Sequence, residues 1–259
     1  MTGATILGVE LRRPDLRTPF PRRFRQRLQG AAVLAVKRRA KYLLVQVSSG
    51  DTLLMHLGMS GSFHVDAQAP APAGERRLAA HDHVVFHLDT GASVIFNDPR
   101  RFGFMDLLDE EAFREHQVLG RLGPEPLSDT FTPAALAAAC RGRTSAIKVA
   151  LLDQRIVAGI GNIYASEALH LAGISPRRRA GALSTMSGAP RASTAHLTAA
   201  IKRVLTDAIR RVSSRGYRGS RFKVYEREAS PCLRAGCGGT IRRFTQAGRS
   251  TFYCPVCQR

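Results

Sequence analysis

Four cysteines near the end of the sequence have the spacing of a metal site. Cys232 and Cys237 enclose four residues, Cys254 and Cys257 enclose two, and sixteen residues separate the two pairs. Tetrahedral zinc takes four thiolates from two such turns. An accidental spacing is the alternative, but a segment this small has almost no core and needs a metal ion to fold. We therefore predict one structural Zn2+ held by protein ligands alone.

The residues between the two cysteine pairs are predicted to form a β-hairpin. Ile241 and Phe244 fall on one arm, Phe252 and Tyr253 fall on the other, and residues 246–249 form the tip. Alternating apolar positions on either side of a Gly-containing turn are typical of such hairpins. The metal site would then hold together the open end of the hairpin.

The charge of the chain points to a polyanionic partner. Lys and Arg number 39 against 20 Asp and Glu, a net charge of +19, and residues 202–259 alone carry 14 basic and 3 acidic residues. Concentration of this charge around a zinc site favours nucleic acid over a membrane surface. No apolar run approaches the roughly 18 residues of a membrane span, and the N-terminus lacks a secretion signal. We expect a cytoplasmic protein with no membrane partner.

Three loops could contact DNA. Residues 98–103 follow a predicted strand and present two arginines and a phenylalanine, which can bond to phosphates or base edges and insert into a base step. Residues 56–61 hold Met59 between two glycines, and residues 159–167 place two glycines before a helix N-terminus that could bind phosphate. Each loop taken alone is equally compatible with an ordinary turn.

Strands are predicted to come first and helices second. Residues 41–47 pair with 52–57, and residues 83–88 pair with 93–96, which indicates an antiparallel sandwich or barrel with an Ala/Pro-rich loop at 67–74. Thr132 and Pro133 open an Ala-rich helix that ends at Cys140, a predicted core residue. Further predicted elements are helices at 145–153, 162–172 and 197–209, a loop at 184–193, and a strand near 222–225.

Together and in this order, the motifs resemble the formamidopyrimidine-DNA glycosylase / endonuclease VIII family of base-excision repair enzymes. The resemblance covers nearly the whole chain, and its most specific segments are residues 56–62, 98–103, 122–127, 159–167 and 246–257. It implies an α+β multidomain fold with DNA in the cleft between domains. The expected domains are an N-terminal antiparallel β-sandwich (1–118), a helix–two-turns–helix DNA-binding domain (119–221) and a C-terminal zinc ribbon (222–259).

The resemblance also implies a reaction. An oxidised base is excised from damaged double-stranded DNA after its nucleotide rotates out of the duplex. In the family an N-terminal proline amine attacks the sugar C1′ to form a Schiff base, and an adjacent glutamate serves as acid and base. β,δ-Elimination then cuts the strand, an AP-lyase activity. The implied protein is a bacterial-type monomer, associated with the nucleoid when bound to DNA.

Individual residues match family positions. Lys41 resembles the lysine that assists β-elimination, and Arg249 resembles the proton donor for δ-elimination and a phosphate contact. Met59, Arg100 and Phe102 resemble the trio that fills the gap left by the rotated base. The remaining DNA-binding matches are His56, Arg101 and Asn162 as phosphate contacts that kink the duplex, His81, Arg100 and Arg143 as further DNA-binding positions, and Lys148 near the lesion-side helix.

The start of the sequence departs from the family pattern. Family members begin Met-Pro-Glu and continue through a helix to the segment matched by Gly3, whereas only Met1 and Thr2 precede Gly3 here. We expect the proline nucleophile and its glutamate to be missing. Met1 is then either an internal methionine of a longer, active protein or the start of a non-cleaving, zinc-dependent damaged-DNA-binding protein. The first interpretation is favoured because nothing near the N-terminus would cover the sandwich surface exposed by a lost helix.

A second departure lies before the zinc ribbon. Residues 213–221 form a short connection where many family members have a long Gly/Asp-rich loop that caps an everted purine. This shortness is similar to endonuclease VIII-like members. The short connection therefore argues against a preference for 8-oxoguanine, and oxidised pyrimidines or formamidopyrimidines stay open as substrates.

Overall fold

The computed structural model describes residues 1–67, 78–215 and 222–259, with residues 212–215 described by their backbone alone. The predicted loop at 67–74 and the short connection at 213–221 lie mostly outside these residues. In the described part of the chain, no helix is long and apolar enough to cross a membrane. The chain forms two compact units, Met1–Gly120 and Arg121–Arg259. The domain limits at 118 and 221 stay predictions.

The first unit is built mainly of antiparallel strands. They form two four-stranded sheets in the orders β1-β6-β7-β5 and β2-β3-β4-β8. The strands are β1 (Ile6–Leu11), β2 (Val33–Arg39), β3 (Tyr42–Val47), β4 (Thr52–His56), β5 (Ser62–Asp66), β6 (Asp82–Leu88), β7 (Ser93–Asn97) and β8 (Phe104–Leu108), and the short helices are α1 (Phe24–Leu28), α2 (Glu110–Arg114) and α3 (Gln117–Gly120).

One apolar core joins the two sheets. Ile6 and Phe86 from the first sheet and Val45 and Met55 from the second belong to the same buried cluster. Burial of side chains from both inner faces is what defines a β-sandwich. The predicted pairs β3–β4 and β6–β7 are both present as antiparallel neighbours. The predicted N-terminal antiparallel sandwich is therefore confirmed.

The second unit combines helices with a short β-hairpin. Its elements are α4 (Pro133–Cys140), α5 (Ile147–Leu152), α6 (Asn162–Ala172), a 3-10 helix (Ala180–Leu183), α7 (Ala192–Arg215), β9 (Arg242–Gln246) and β10 (Arg249–Tyr253). The Thr132 hydroxyl accepts the Ala135 N–H at 3.1 Å and caps α4, as its sequence predicts. Cys140 is fully buried, and burial raises the pKa of its thiol to about 11, which makes it unreactive at neutral pH.

The strand predicted near residues 222–225 is wrong. The backbone N–H of Lys223 donates to the Glu167 carboxylate at 2.8 Å, and those of Val224 and Tyr225 donate to it at 2.9 Å. These donors are therefore used by a buried side chain of α6 instead of a strand ladder. Val224 and Tyr225 still pack against Phe252 of the hairpin, which explains their apolar character.

Candidate nucleic-acid interface and zinc centre

The loop that follows β7 is organised by a buried carboxylate. Asp98 is completely buried. Its Oδ1 accepts the Ser60 hydroxyl at 2.5 Å, and its Oδ2 accepts the Gly103 N–H at 2.8 Å. One aspartate thus ties both ends of residues 98–103 to the loop that follows β4. Bonds to a charged acceptor are about twice as strong as neutral ones, so this anchor fixes the two loops in one arrangement.

Two glycines allow these loops to approach closely. A Cβ atom at Gly58 would lie 2.4 Å from the carbonyl carbon of Phe102. At Gly103 it would lie 2.8 Å from both the His56 carbonyl oxygen and the Phe96 ring. Gly58 also has φ +65, a conformation that side chains disfavour. The glycines in both motifs are therefore required by contact between the two loops.

The interlocked loops present three side chains together, which we call the wedge: Met59, Arg100 and Phe102. The guanidinium group of Arg100 lies 3.4 Å from the Met59 sulfur, and its central carbon lies 4.7 Å from the centroid of the Phe102 ring. Met59 is 71% exposed and Phe102 is 43% exposed. The wedge is a cluster of one cationic and two apolar side chains held out from a rigid base.

His56 lies at the end of β4 beside the wedge loops. Its Nδ1 accepts the Gly58 N–H at 2.9 Å, so the proton of the neutral ring is on Nε2. Burial, with Lys41 and Arg17 nearby, lowers the pKa of this imidazole. The ring stacks on Phe104 with centroids 5.7 Å apart. The fold thus fixes His56 as a neutral N–H donor.

Lys41 occupies an exposed position in the turn between β2 and β3. Tyr42, the first residue of β3, pairs with His56 across β3 and β4, which explains why the charge of Lys41 is felt at the imidazole. The preceding residue, Ala40, has φ 53 and allows the tight reversal. The hairpin presents the ammonium group on the same unit as the wedge.

Arg101 and His81 flank the Asp98 anchor. Arg101 adopts φ 54, a left-handed conformation that is costly for a residue with a side chain, and its guanidinium group lies 3.7 Å from Asp15. The backbone carbonyl of exposed His81 accepts the Asp98 N–H at 3.0 Å. His83, which sequence reasoning did not single out, is buried and bonds through Nε2 to the Asp98 carbonyl at 2.9 Å.

In the second unit, Lys148 and Asn162 form one buried network with the hairpin. The Lys148 ammonium donates to Asn162 Oδ1 at 2.6 Å, to the Thr251 hydroxyl at 2.7 Å and to the Ser250 carbonyl at 3.1 Å. Asn162 donates to the same Ser250 carbonyl at 2.9 Å. Lys148 is 1% exposed, and burial together with the nearby charge of Arg249 lowers its pKa to about 8.

This network supports the tip of the hairpin. Ala247 and Gly248 both have positive φ, as a two-residue hairpin turn requires, and exposed Arg249 follows immediately as the first residue of β10. The next two residues, Ser250 and Thr251, receive the bonds from α5 and α6. The fold thereby fixes the backbone on which Arg249 stands.

Arg143 lies apart from that network within the second unit. Its Nε donates to the Ala139 carbonyl at 2.8 Å, and its terminal nitrogen lies 3.7 Å from the Asp153 carboxylate. Its carbonyl accepts the Gly181 N–H at 2.9 Å. The half-buried side chain is thus held on the α4–α5 connection.

The four predicted metal ligands come together. Ligand atoms of Cys232, Cys237, Cys254 and Cys257 all lie within 4.8 Å of one another. Four sulfurs at this separation fit a tetrahedral ion with Zn–S bonds of about 2.3 Å, and an all-cysteine set selects zinc for structure rather than catalysis. The predicted single structural Zn2+ is confirmed by this arrangement and by the zinc-finger match given below.

Three family models match the chain. A formamidopyrimidine-DNA glycosylase N-terminal domain matches residues 1–105, a formamidopyrimidine-DNA glycosylase H2TH domain matches residues 122–217, and a zinc finger found in FPG and IleRS matches residues 229–259. The formamidopyrimidine-DNA glycosylases of Azorhizobium caulinodans and Bradyrhizobium sp. (strain BTAi1) are 51% and 50% identical to this chain. Each alignment covers 100% of this chain and 94% of the relative.

Solved structures agree with these matches. Formamidopyrimidine-DNA glycosylase of Lactococcus lactis, bound non-covalently to DNA containing an AP site, superposes with a TM-score of 0.85 at 29% identity, covering 100% of this chain and 94% of that one. Its complex with DNA containing FAPY-dG gives 0.82 at 30% identity with the same coverage. The sandwich, helical unit and zinc ribbon are thus those of a DNA-repair glycosylase. The chain belongs to the formamidopyrimidine-DNA glycosylase family.

Proposed function

We propose that this protein removes oxidised bases from double-stranded DNA and cleaves the resulting abasic site by β,δ-elimination. The observation that carries the proposal is the wedge. Met59 and Phe102 each contact Arg100, all three side chains are exposed, and they lie on loops held together by Asp98. Apolar side chains unstack a base step when they insert into it, and an arginine among them can bond to the orphaned base. This arrangement supports extrusion of a damaged nucleotide.

The phosphate contacts follow from the groups available on each unit. His56 offers a neutral Nε2–H, and Arg101 offers a guanidinium group beside the wedge. Asn162 at the start of α6 and Arg249 at the hairpin tip serve the second unit. Contacts of this kind position the duplex and hold a kink without reading sequence. His81 and Arg143 complete the proposed DNA-binding residues. Buried Lys148 contributes indirectly, because its hydrogen bonds hold Asn162 and the hairpin in place.

Two cations serve the elimination steps. Lys41 lies in an exposed turn, so its amine can reach the sugar–phosphate backbone and assist β-elimination. Arg249 is the proposed proton donor for δ-elimination and neutralises the departing phosphate. The zinc ion, held by the four cysteines, supplies no chemistry to the substrate. It fixes the hairpin that carries Arg249.

The relatives are bacterial proteins, so the protein acts in the cytoplasm, associated with the nucleoid while bound to DNA. Formamidopyrimidines are the proposed first substrates, because the relatives bear that name and one solved relative is bound to FAPY-dG. The non-cleaving alternative receives less support, because the named relatives are glycosylases.

Replacing wedge residues tests the proposal. Base stacking on an aromatic side chain contributes about 1–3 kcal/mol. Phe102→Ala should therefore weaken binding to a duplex with an abasic-site analogue by about tenfold and leave binding to undamaged duplex unchanged. Leu7→Ala, which removes an even more exposed apolar side chain on β1, is the control. An unchanged preference for damaged DNA in Phe102→Ala would overturn the proposed role of the wedge.

A further inference from the structure

The first zinc turn contacts the C-terminal end of α6. Arg234, inside the four-residue spacer between Cys232 and Cys237, donates to the carbonyl of His170 and, at 3.1 Å, to that of Leu171. The last carbonyls of a helix lack helical partners and carry partial negative charge. The longer spacer therefore provides a cation that caps α6, whose last residue is Ala172.

A second contact joins the same end of α6 to a predicted zinc ligand. His170 is 5% exposed, and its Nε2 lies 3.3 Å from the Cys232 sulfur. A zinc-bound cysteine is a thiolate, which can only accept a hydrogen bond. The Nε2 atom therefore carries the proton and donates to sulfur. No sequence motif marks this pair, because 62 residues separate its members.

We propose that His170 is an outer-sphere partner of the zinc ion, donating its Nε2–H to the Cys232 thiolate while Arg234 clamps the same zinc turn to α6. Outer-sphere donors orient metal ligands and increase metal retention. Asn162 bonds to Ser250 at the other end of the helix. Eight residues of helix, about 12 Å, separate the two attachments, so α6 holds both the metal end and the tip of the ribbon.

Zinc release gives the first test. Full-length His170→Phe keeps a ring but loses the donor, and a chromogenic chelator should withdraw its zinc about 10–100 times faster than from the wild type. His170→Gln, whose amide N–H can occupy the Nε2 position, should recover most of the retention. His196→Phe, an exposed histidine of α7, is the matched control. Equal release from wild type and His170→Phe, or from the Gln and Phe variants, would overturn the proposal.

Cobalt substitution distinguishes loss of the His170–Cys232 hydrogen bond from a general weakening of metal binding. A donor withdraws electron density from a thiolate, so its loss should shift the sulfur-to-cobalt charge-transfer band of folded, Co2+-loaded His170→Phe to longer wavelength. Arg234→Ala should lose metal faster without this shift, since the Arg234 side chain bonds to carbonyls and not to sulfur, and the alanine keeps the backbone N–H that faces Cys232. An unshifted band in folded His170→Phe would overturn the assignment of His170.

Discussion

The Oδ2 oxygen of Asp98 accepts the backbone N–H of Gly103 at 2.8 Å, while its Oδ1 accepts the Ser60 hydroxyl at 2.5 Å. A single buried carboxylate therefore connects the two loops that carry Met59, Arg100 and Phe102. The wedge depends on a residue that is itself completely buried. Asp98 therefore supports the two loops, while the wedge side chains are the groups that the loops expose.

Asp98→Asn should uncouple the loops. An amide keeps one acceptor oxygen but has a donor nitrogen in place of the other, and it carries no charge, so one bond loses its acceptor and the other is weakened; hydrogen bonds to charged groups contribute about 1.5–3 kcal/mol each. We expect the free energy of unfolding of the first unit to fall by about 2–4 kcal/mol, measured by urea denaturation. Preference for damaged DNA should fall with it. Exposed Asp89 supplies the control Asp89→Asn, and equal stability of the two variants would contradict the anchoring role.

Lys148 should make stability depend on pH. Its pKa is about 8 in the folded protein against 10.5 ordinarily, so the unfolded chain binds the proton more tightly. Burying the charged ammonium group lowers the free energy of unfolding. This cost is fully present below pH 8 and disappears as pH rises from about 8 towards 10.5. Relative to Lys148→Met, the free energy of unfolding of the wild type, measured by urea denaturation, should rise by about 1–3 kcal/mol between pH 7 and pH 10.

The control for this titration is Lys37→Met, which removes an exposed lysine of β2. It should follow the wild-type pH profile throughout. Parallel profiles for wild type and Lys148→Met would show that Lys148 keeps an ordinary pKa and would contradict the effect of its burial.

Zinc removal should unfold the ribbon and spare the sandwich. The ribbon cluster of Val224, Ile241, Phe252 and Cys254 is small, so metal binding supplies most of its folding free energy. Hydrogen exchange of the chelated protein should show loss of protection in β9 and β10 and unchanged protection in β3 and β4. Affinity for damaged DNA should fall at least tenfold, on the order of the loss of one anchored phosphate contact. Cys140→Ser should keep its zinc, and a protected hairpin without metal would contradict this account.

Local patterns explain which elements were predictable. The bounds of α6 follow from two glycines before Asn162 and from Gly173 after Ala172, and the structure has a helix over Asn162–Ala172. The β3–β4 and β6–β7 hairpins follow equally well, since alternation and turn residues lie within a short stretch. The spacing of the two cysteine pairs predicts that the four sulfurs come together, because one tetrahedral zinc ion needs all four as ligands.

Long-range contacts explain the rest. Residues 222–225 resemble a strand, but Glu167, more than fifty residues earlier, takes their N–H groups. Lys148 matches a DNA-binding position of the family near the lesion-side helix, whereas its ammonium group is enclosed by Asn162 and the hairpin. Neither Glu167 nor Lys148 has a neighbour in sequence that reveals its partner, so these roles needed the tertiary structure.

Borohydride trapping tests the central claim most directly. The protein, expressed from its genomic locus with the native upstream DNA intact, is incubated with a duplex containing a formamidopyrimidine and reduced with borohydride. The proposed glycosylase and AP lyase predicts a covalent protein–DNA complex, and without reductant a strand cut on both sides of the lesion. Arg249→Ala should leave the β-elimination product. Tight, damage-selective binding with neither an adduct nor a cut strand would contradict the enzyme and establish a non-cleaving DNA-binding protein.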